Sequence, residues 1–259
     1  MLSSLRPTRA LVLGAALLVV SGLLVFGDRG DAGSGGADGV APAHVLGASE
    51  TRPTEPVNEP KDEPRATVDP STVVRIVARG CSGRSVGSGV LLDDGRILTA
   101  RHVLDGATSA TVDVPGVGAL RAAVVAVDAA GRDAALLELV DTDAAPASGT
   151  IDATLPASGA VVAAVGHPSG GALARADGAV IGSQTRGPLA LDGGRVLTFD
   201  AVVEPGMSGG PVVDRFGHVV GVAIGFDRAT RTGIAVPVGE ITDLLDGVGA
   251  PPAASCRAT

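Results

Sequence analysis

The sequence predicts an all-β domain of barrel or sandwich type, from Ser71 to the end of a 259-residue chain. Two observations carry this. From Ser71 onward, short runs rich in Val, Ile, Leu and Ala follow one another, from VVRIVARG, GSGVLLDDG and RILTARHV to GPVVD, HVVGVAIG and GIAVPV, with Gly, Asp or Pro in most of the gaps. A spacing of about 8–15 residues suits strands joined by turns. The chain also holds 38 Gly and 17 Pro, many for a helical protein.

The elements run in this order. Arg6 and Arg9 precede an uncharged apolar run from Ala10 to Phe26. The run lies between the ~7–15 residues of a signal-peptide core and the ~20 of a spanning helix. Residues 1–26 are therefore read as an apolar helix serving as signal peptide or membrane anchor. Ala41-Pro42-Ala43, the clear A-x-A, lies well past the run and favours an uncleaved anchor. In either case the arginines stay inside and the rest is exported. Residues 27–70, rich in Gly, Ala, Asp, Glu and Pro, keep no apolar period and read as a disordered linker. Residues 71–259 form the folded domain.

Within it, LLDDGRIL is a hairpin signal with Asp94-Gly95 at the turn, and DRFGHVV is another with Gly217 in the turn. One helix is expected, Val238 to Leu245, apolar at Ile241, Leu244 and Leu245. With no Trp or Tyr and four Phe, the core must be built from Val, Leu and Ile.

The formal charge of −8 leaves no basic stripe to neutralise phosphates, which argues against a nucleic-acid partner. Cys81 and Cys256 form no CxxC pair and no Cys/His cluster, so neither a metal site nor a cofactor is expected. An even count in an exported chain points instead to one disulfide between them.

Three motifs carry chemistry. A hydroxyl is a poor nucleophile near neutral pH; it needs a base for its proton and donors for the oxyanion that forms. In GMSGGP, Ser208 is flanked by Gly206, Gly209 and Gly210. Glycine permits a tight backbone that aims successive N–H groups at one point, and the N–H groups of Gly206 and Ser208 are the expected oxyanion donors. In ILTARHVL, His102 follows a strand at a corner, where a neutral imidazole can act as general base. His44 and His218 read as solvent residues, and His167, just before Pro168, as a loop former. In GRDAALLEL, Asp133 opens an apolar run and can orient the His102 ring. Asp128, Asp141 and Asp143 are nearby, but only Asp133 is followed at once by buried-strand texture.

ILTARHVL, RDAALLEL and EPGMSGGPVVD together resemble the catalytic motifs of the trypsin-like serine proteases, and within them the bacterial HtrA-like branch. The order is His, Asp, Ser, and the resemblance covers roughly Ser71 to Gly247. It implies two perpendicular six-stranded antiparallel β-barrels with a C-terminal helix. His102 and Asp133 would come from the first barrel and Ser208 from the second. The implied activity is endopeptidase cleavage of a protein or peptide substrate through an acyl-enzyme.

Two departures bear on function. Met207 stands where digestive proteases carry Asp and HtrA proteins carry Asn, so activation by a salt bridge to a freed N-terminus is not expected. A methionine there would hold the oxyanion loop less firmly, which keeps open a latent or catalytically silent module that binds peptides or senses envelope stress. No PDZ module follows the protease region in this sequence, so regulation through one is not expected. The position that is acidic in trypsin falls at Val202; with Val222 and Ile224 it should form an apolar specificity pocket for small or medium side chains.

Overall fold

The computed structural model describes residues 67–80, 83–140, 142, 147–185 and 194–252. The apolar segment 1–26, almost all of the 27–70 linker and both cysteines lie outside them. Among the described residues no helix is long and apolar enough to cross a membrane.

Two closed antiparallel barrels of six strands each make up the fold. In the first, β1 (Val73–Gly80), β2 (Gly83–Leu91), β3 (Arg96–Thr99), β4 (Ala107–Val114), β5 (Gly118–Val127) and β6 (Ala135–Leu139) close in the order β1-β2-β3-β6-β5-β4. In the second, β7 (Val161–Gly166), β8 (Ala174–Gln184), β9 (Val196–Phe199), β10 (Pro211–Asp214), β11 (Val219–Asp227) and β12 (Thr232–Pro237) close in the order β10-β11-β12-β9-β8-β7. Closure leaves no exposed strand edge. Both expected hairpins form. Gly95 (φ +81°) turns β2 into β3, and Gly217 (φ +87°) turns β10 into β11. Before β1, Asp69 accepts from Ser71 N–H (2.9 Å) and caps a short 3-10 turn, Pro70–Thr72.

The expected helix over Val238–Leu245 is shorter than its apolar spacing suggested. Val238–Glu240 is a 3-10 turn, and only Thr242–Leu245 (α1) is α-helical. Ile241, the residue between them, is fully buried along with Val238 and Leu244. Packing, rather than helix length, holds this segment, as tertiary burial usually does for so short an element.

The core residues of the second barrel divide by strand parity. Ile76, Leu91, Leu98, Leu136 and Leu137 of the first barrel are fully buried in one cluster, which also takes in Ala163, Val213, Val222, Ile224 and Val236 of the second. The alternate residues of the second barrel's strands, Val162, Ala164, Leu197, Val212, Ala223 and Ala235, form a separate cluster with Phe199 and Met207. A period of two puts neighbours on opposite faces. One large cluster therefore bridges the two barrels and holds them together. Each fully buried Leu or Ile contributes about 1.5–3 kcal/mol to it.

Candidate active site

His102 lies in the short 3-10 turn Arg101–Leu104 that follows β3, and the adjacent Val103 and Leu104 are buried. Those neighbours anchor the corner, while the His102 side chain remains 42% exposed. Asp133 sits just before β6 with its side chain 10% exposed. It accepts two hydrogen bonds from His102, one at Oδ1 from the backbone N–H (2.8 Å) and one at Oδ2 from ring Nδ1 (2.5 Å). This carboxylate raises the imidazole pKa above its ordinary value, against the lowering effect of partial burial.

Asp128, the neighbouring acid, is also buried but has another task. It accepts from the Arg132 backbone N–H at 2.9 Å, and its own N–H donates to Ala134 O at 3.0 Å. It thus shapes the turn that presents Asp133. Asp141 and Asp143 lie outside the described residues.

Ser208 lies in the turn between Pro205 and β10. Gly206 (φ +98°) and Gly209 (φ +86°) both take the left-handed conformation that glycine allows without strain. The N–H groups of this turn are unequally used. Met207 donates to Glu204 O (2.9 Å), Gly209 to Ala223 O (2.7 Å) and Gly210 to Met207 O (3.0 Å). Among the described residues, the N–H groups of Gly206 and Ser208 have no acceptor.

The serine turn packs against the histidine corner. A Cβ placed on Gly87 of β2 would lie 2.6 Å from the Val103 methyls and 2.9 Å from Ser208 O. One placed on Gly209 would lie 2.2 Å from Thr99 Oγ1 and 2.9 Å from Ala100 N. Gly87 therefore sits between Val103 and the serine turn, and Gly209 of that turn sits against Thr99 and Ala100, at positions with no room for a side chain.

His167 shapes a loop. Its Nδ1 lies 2.9 Å from Gly171 O, and the loop bends through Ser169 in the left-handed region (φ 51°). Ser169 N–H donates to Pro205 O (2.7 Å), which braces the serine turn from below. On the far side of the same loop, Gly170 O accepts from Arg75 Nη1 (2.8 Å). His218 is half-buried rather than free in solvent. Its ligand atom groups within 4.8 Å of those of Asp152 and Asp214. Both carboxylates already serve their own turns, Asp214 accepting from Phe216 and His218 N–H and Asp152 from Thr154 N–H.

A cavity of about 390 Å³ opens beside Ser208, lined by Val202, Val203, Glu204, Pro205, Gly225, Phe226 and Arg228. Of the three residues expected in the specificity pocket, Val202 lines this cavity and Val222 and Ile224 do not. Their strand parity sends them into the cluster shared with the first barrel, 0% and 4% exposed. A larger cavity, about 600 Å³, lies elsewhere, between the β2–β3 turn and α1.

Sequence reasoning overlooked Ser88 and Thr99, which tie the serine turn to the first barrel. The available signal was Gly87-Ser88-Gly89 inside a strand pattern, since strand glycines mark close backbone approach.

Residues 87–222 match the trypsin-like peptidase domain family. Serine protease Rv3671c of Mycobacterium tuberculosis is 33% identical over 71% of this chain and 48% of its own length. The Do-like serine protease HtrA of Bacillus subtilis is 29% identical over 62% of this chain and 38% of its own. The chain thus spans about half, or less, of the length of these curated relatives. The crystal structure of the active form of the Rv3671c protease superposes with a TM-score of 0.62 at 27% identity, covering 71% of this chain and 84% of that one.

Proposed function

We propose that this chain, which belongs to the trypsin-like peptidase family, is a serine endopeptidase of HtrA type with His102, Asp133 and Ser208 as its triad. The observation that carries this reading is the double hold of Asp133 on His102, beside a serine turn whose Gly206 and Ser208 N–H groups have no acceptor among the described residues.

In the proposed reaction, Ser208 Oγ attacks the carbonyl carbon of a peptide bond while His102 Nε2 takes its proton. The Asp133 carboxylate keeps Nδ1 protonated and stabilises the imidazolium that forms. The N–H groups of Gly206 and Ser208 hold the oxyanion, each donor lowering the barrier by roughly 2.7–4 kcal/mol. His102 returns the proton to the leaving amine as the C–N bond breaks. Water then attacks the Ser208 ester as His102 takes its proton; the bond from the acyl carbon to Oγ breaks, His102 returns the proton to Ser208 Oγ, and the acid departs. An activated ester of a small apolar acyl group should release its alcohol in a burst equal to the enzyme present. A burst that persists in Ser208→Ala would sink this reading.

The cavity beside Ser208 is the proposed seat for the side chain preceding the cut. Val202, Val203, Pro205 and Phe226 give it apolar walls suited to small or medium residues. Residues 1–26 are proposed to carry the domain across, or anchor it to, a membrane, and Cys81 and Cys256 to pair in the oxidising space beyond. If denatured, unreduced protein alkylates at either cysteine, the pairing is wrong. If a fusion at Thr259 stays inside the cell, the export reading is wrong.

A further inference from the structure

We propose that Ser88 is a positioning residue for catalysis, holding the serine turn of the second barrel in register with the histidine corner of the first. The inference rests on the reading of Ser208 as nucleophile.

Ser88 lies in β2 and is fully buried. All its polar groups are spent on the site. Its N–H donates to Ser208 O (2.8 Å), and its carbonyl accepts from Thr99 Oγ1 (2.7 Å). Its hydroxyl donates to Gly206 O (2.8 Å) and accepts from His167 N–H (2.8 Å). A hydroxyl has one proton, and a carbonyl can only accept while an N–H can only donate, so the direction of both bonds is fixed.

The consequences fall on the oxyanion donors. The bond to Gly206 O sets the plane of the Gly206–Met207 peptide, and the bond to Ser208 O sets the plane of the peptide that follows Ser208. The Gly206 N–H belongs to the peptide before, whose Pro205 carbonyl is held by Ser169 N–H in the loop that begins at His167. That loop is itself tied to the Ser88 hydroxyl. One side chain of the first barrel thus braces the turn from both sides.

The space around it is made by glycine. A Cβ on Gly166 would lie 2.8 Å from Ser88 Oγ, and one on Gly210 would lie 3.2 Å from Ser88 Cβ. Loss of the hydroxyl takes the donor from the buried Gly206 carbonyl and the acceptor from the part-buried His167 N–H, and unties the His167 loop from the serine turn at this point. The turn is then free to shift, and small misplacements of catalytic groups cost rate steeply.

The test measures the rate of Ser208 labelling by a fluorophosphonate probe in the full chain, for the unsubstituted protein, Ser88→Ala and Ser88→Cys. Thr198→Val, a buried hydroxyl of β9 that bonds Gly182 O, serves as a control for general destabilisation. Melting is followed alongside. Ser88→Ala should label roughly ten- to a hundred-fold more slowly while still melting cooperatively. Thr198→Val should label at the unsubstituted rate. If Ser88→Ala does not fold, Ser88→Cys, which keeps a side-chain donor but a weaker and bulkier one, should show the slowing. The unsubstituted rate in a folded Ser88 variant would overturn the proposal. So would equal slowing in Thr198→Val, which would make the role of Ser88 merely structural. An unsubstituted chain that takes no label would overturn the nucleophile reading itself, and is thereby told apart.

Discussion

Asp133 binds His102 at two points, the ring at Oδ2 and the backbone N–H at Oδ1, so the same carboxylate orients the imidazole and fixes the corner that carries it. Asp133→Asn keeps the size of the side chain but presents an amide that can steer the ring to the wrong tautomer. Turnover of an activated ester should fall by about four orders of magnitude, with melting little changed. Undiminished turnover in a folded Asp133→Asn protein would remove Asp133 from the mechanism.

The raised His102 pKa gives the pH dependence a sign. The base must be neutral, so ester turnover should rise with pH through that pKa, with its midpoint above the ordinary ~6.5. In Asp133→Asn the acid limb should move down. The stability linkage runs the other way. A group with a raised folded pKa stabilises fully below its unfolded value, and that contribution is lost as pH rises through the folded one. A midpoint at or below the ordinary value in the unsubstituted protein would contradict the pairing.

Met207 is 1% exposed and packs in the second barrel's cluster with Phe199 and Val212. Its burial among these apolar side chains would anchor the serine turn, whereas the resemblance led us to expect a less firmly held loop, and the two readings make different predictions. Met207→Leu should cost less than about 1.5 kcal/mol in urea unfolding, and Met207→Ala about 2–5 kcal/mol. Met207→Asp should cost more than either and abolish labelling, because its carboxylate would be buried without a partner. A stable, active Met207→Asp protein would show that the turn is held otherwise.

The cavity beside Ser208 predicts the outcome of a peptide panel. Peptides with Ala, Val or Leu before the cut should be cleaved faster than those with Lys or Arg. Glu204 also lines the cavity, and a clear preference for Arg would show that this carboxylate, rather than the apolar walls, sets specificity.

The three motifs stood out in the sequence because the proposed nucleophilic catalysis demands particular residue types, and because glycine must surround a turn as tight as Gly206–Gly210. The strand runs and both hairpins were legible from alternating apolar texture and turn glycines. The lining of the cavity was legible only at Val202. For Val222 and Ile224 the face depends on strand parity within a barrel, and β11 carries a register shift between Ala223 and Gly225 that periodicity alone does not reveal. The role of Met207 needed its neighbours, since a methionine in a loop motif looks the same in sequence whether exposed or buried. Ser88 was hidden for a similar reason. Its partners lie 118 and 79 residues away, at Gly206 and His167.

The most direct measurement is the site of covalent capture. The full chain and Ser208→Ala would be treated with a fluorophosphonate probe and the adduct mapped by mass spectrometry. Labelling at Ser208 alone, absent from Ser208→Ala and abolished by acid through the His102 titration, is the expected result. A folded protein that takes no label, or takes it at another serine, would contradict the assignment of His102, Asp133 and Ser208.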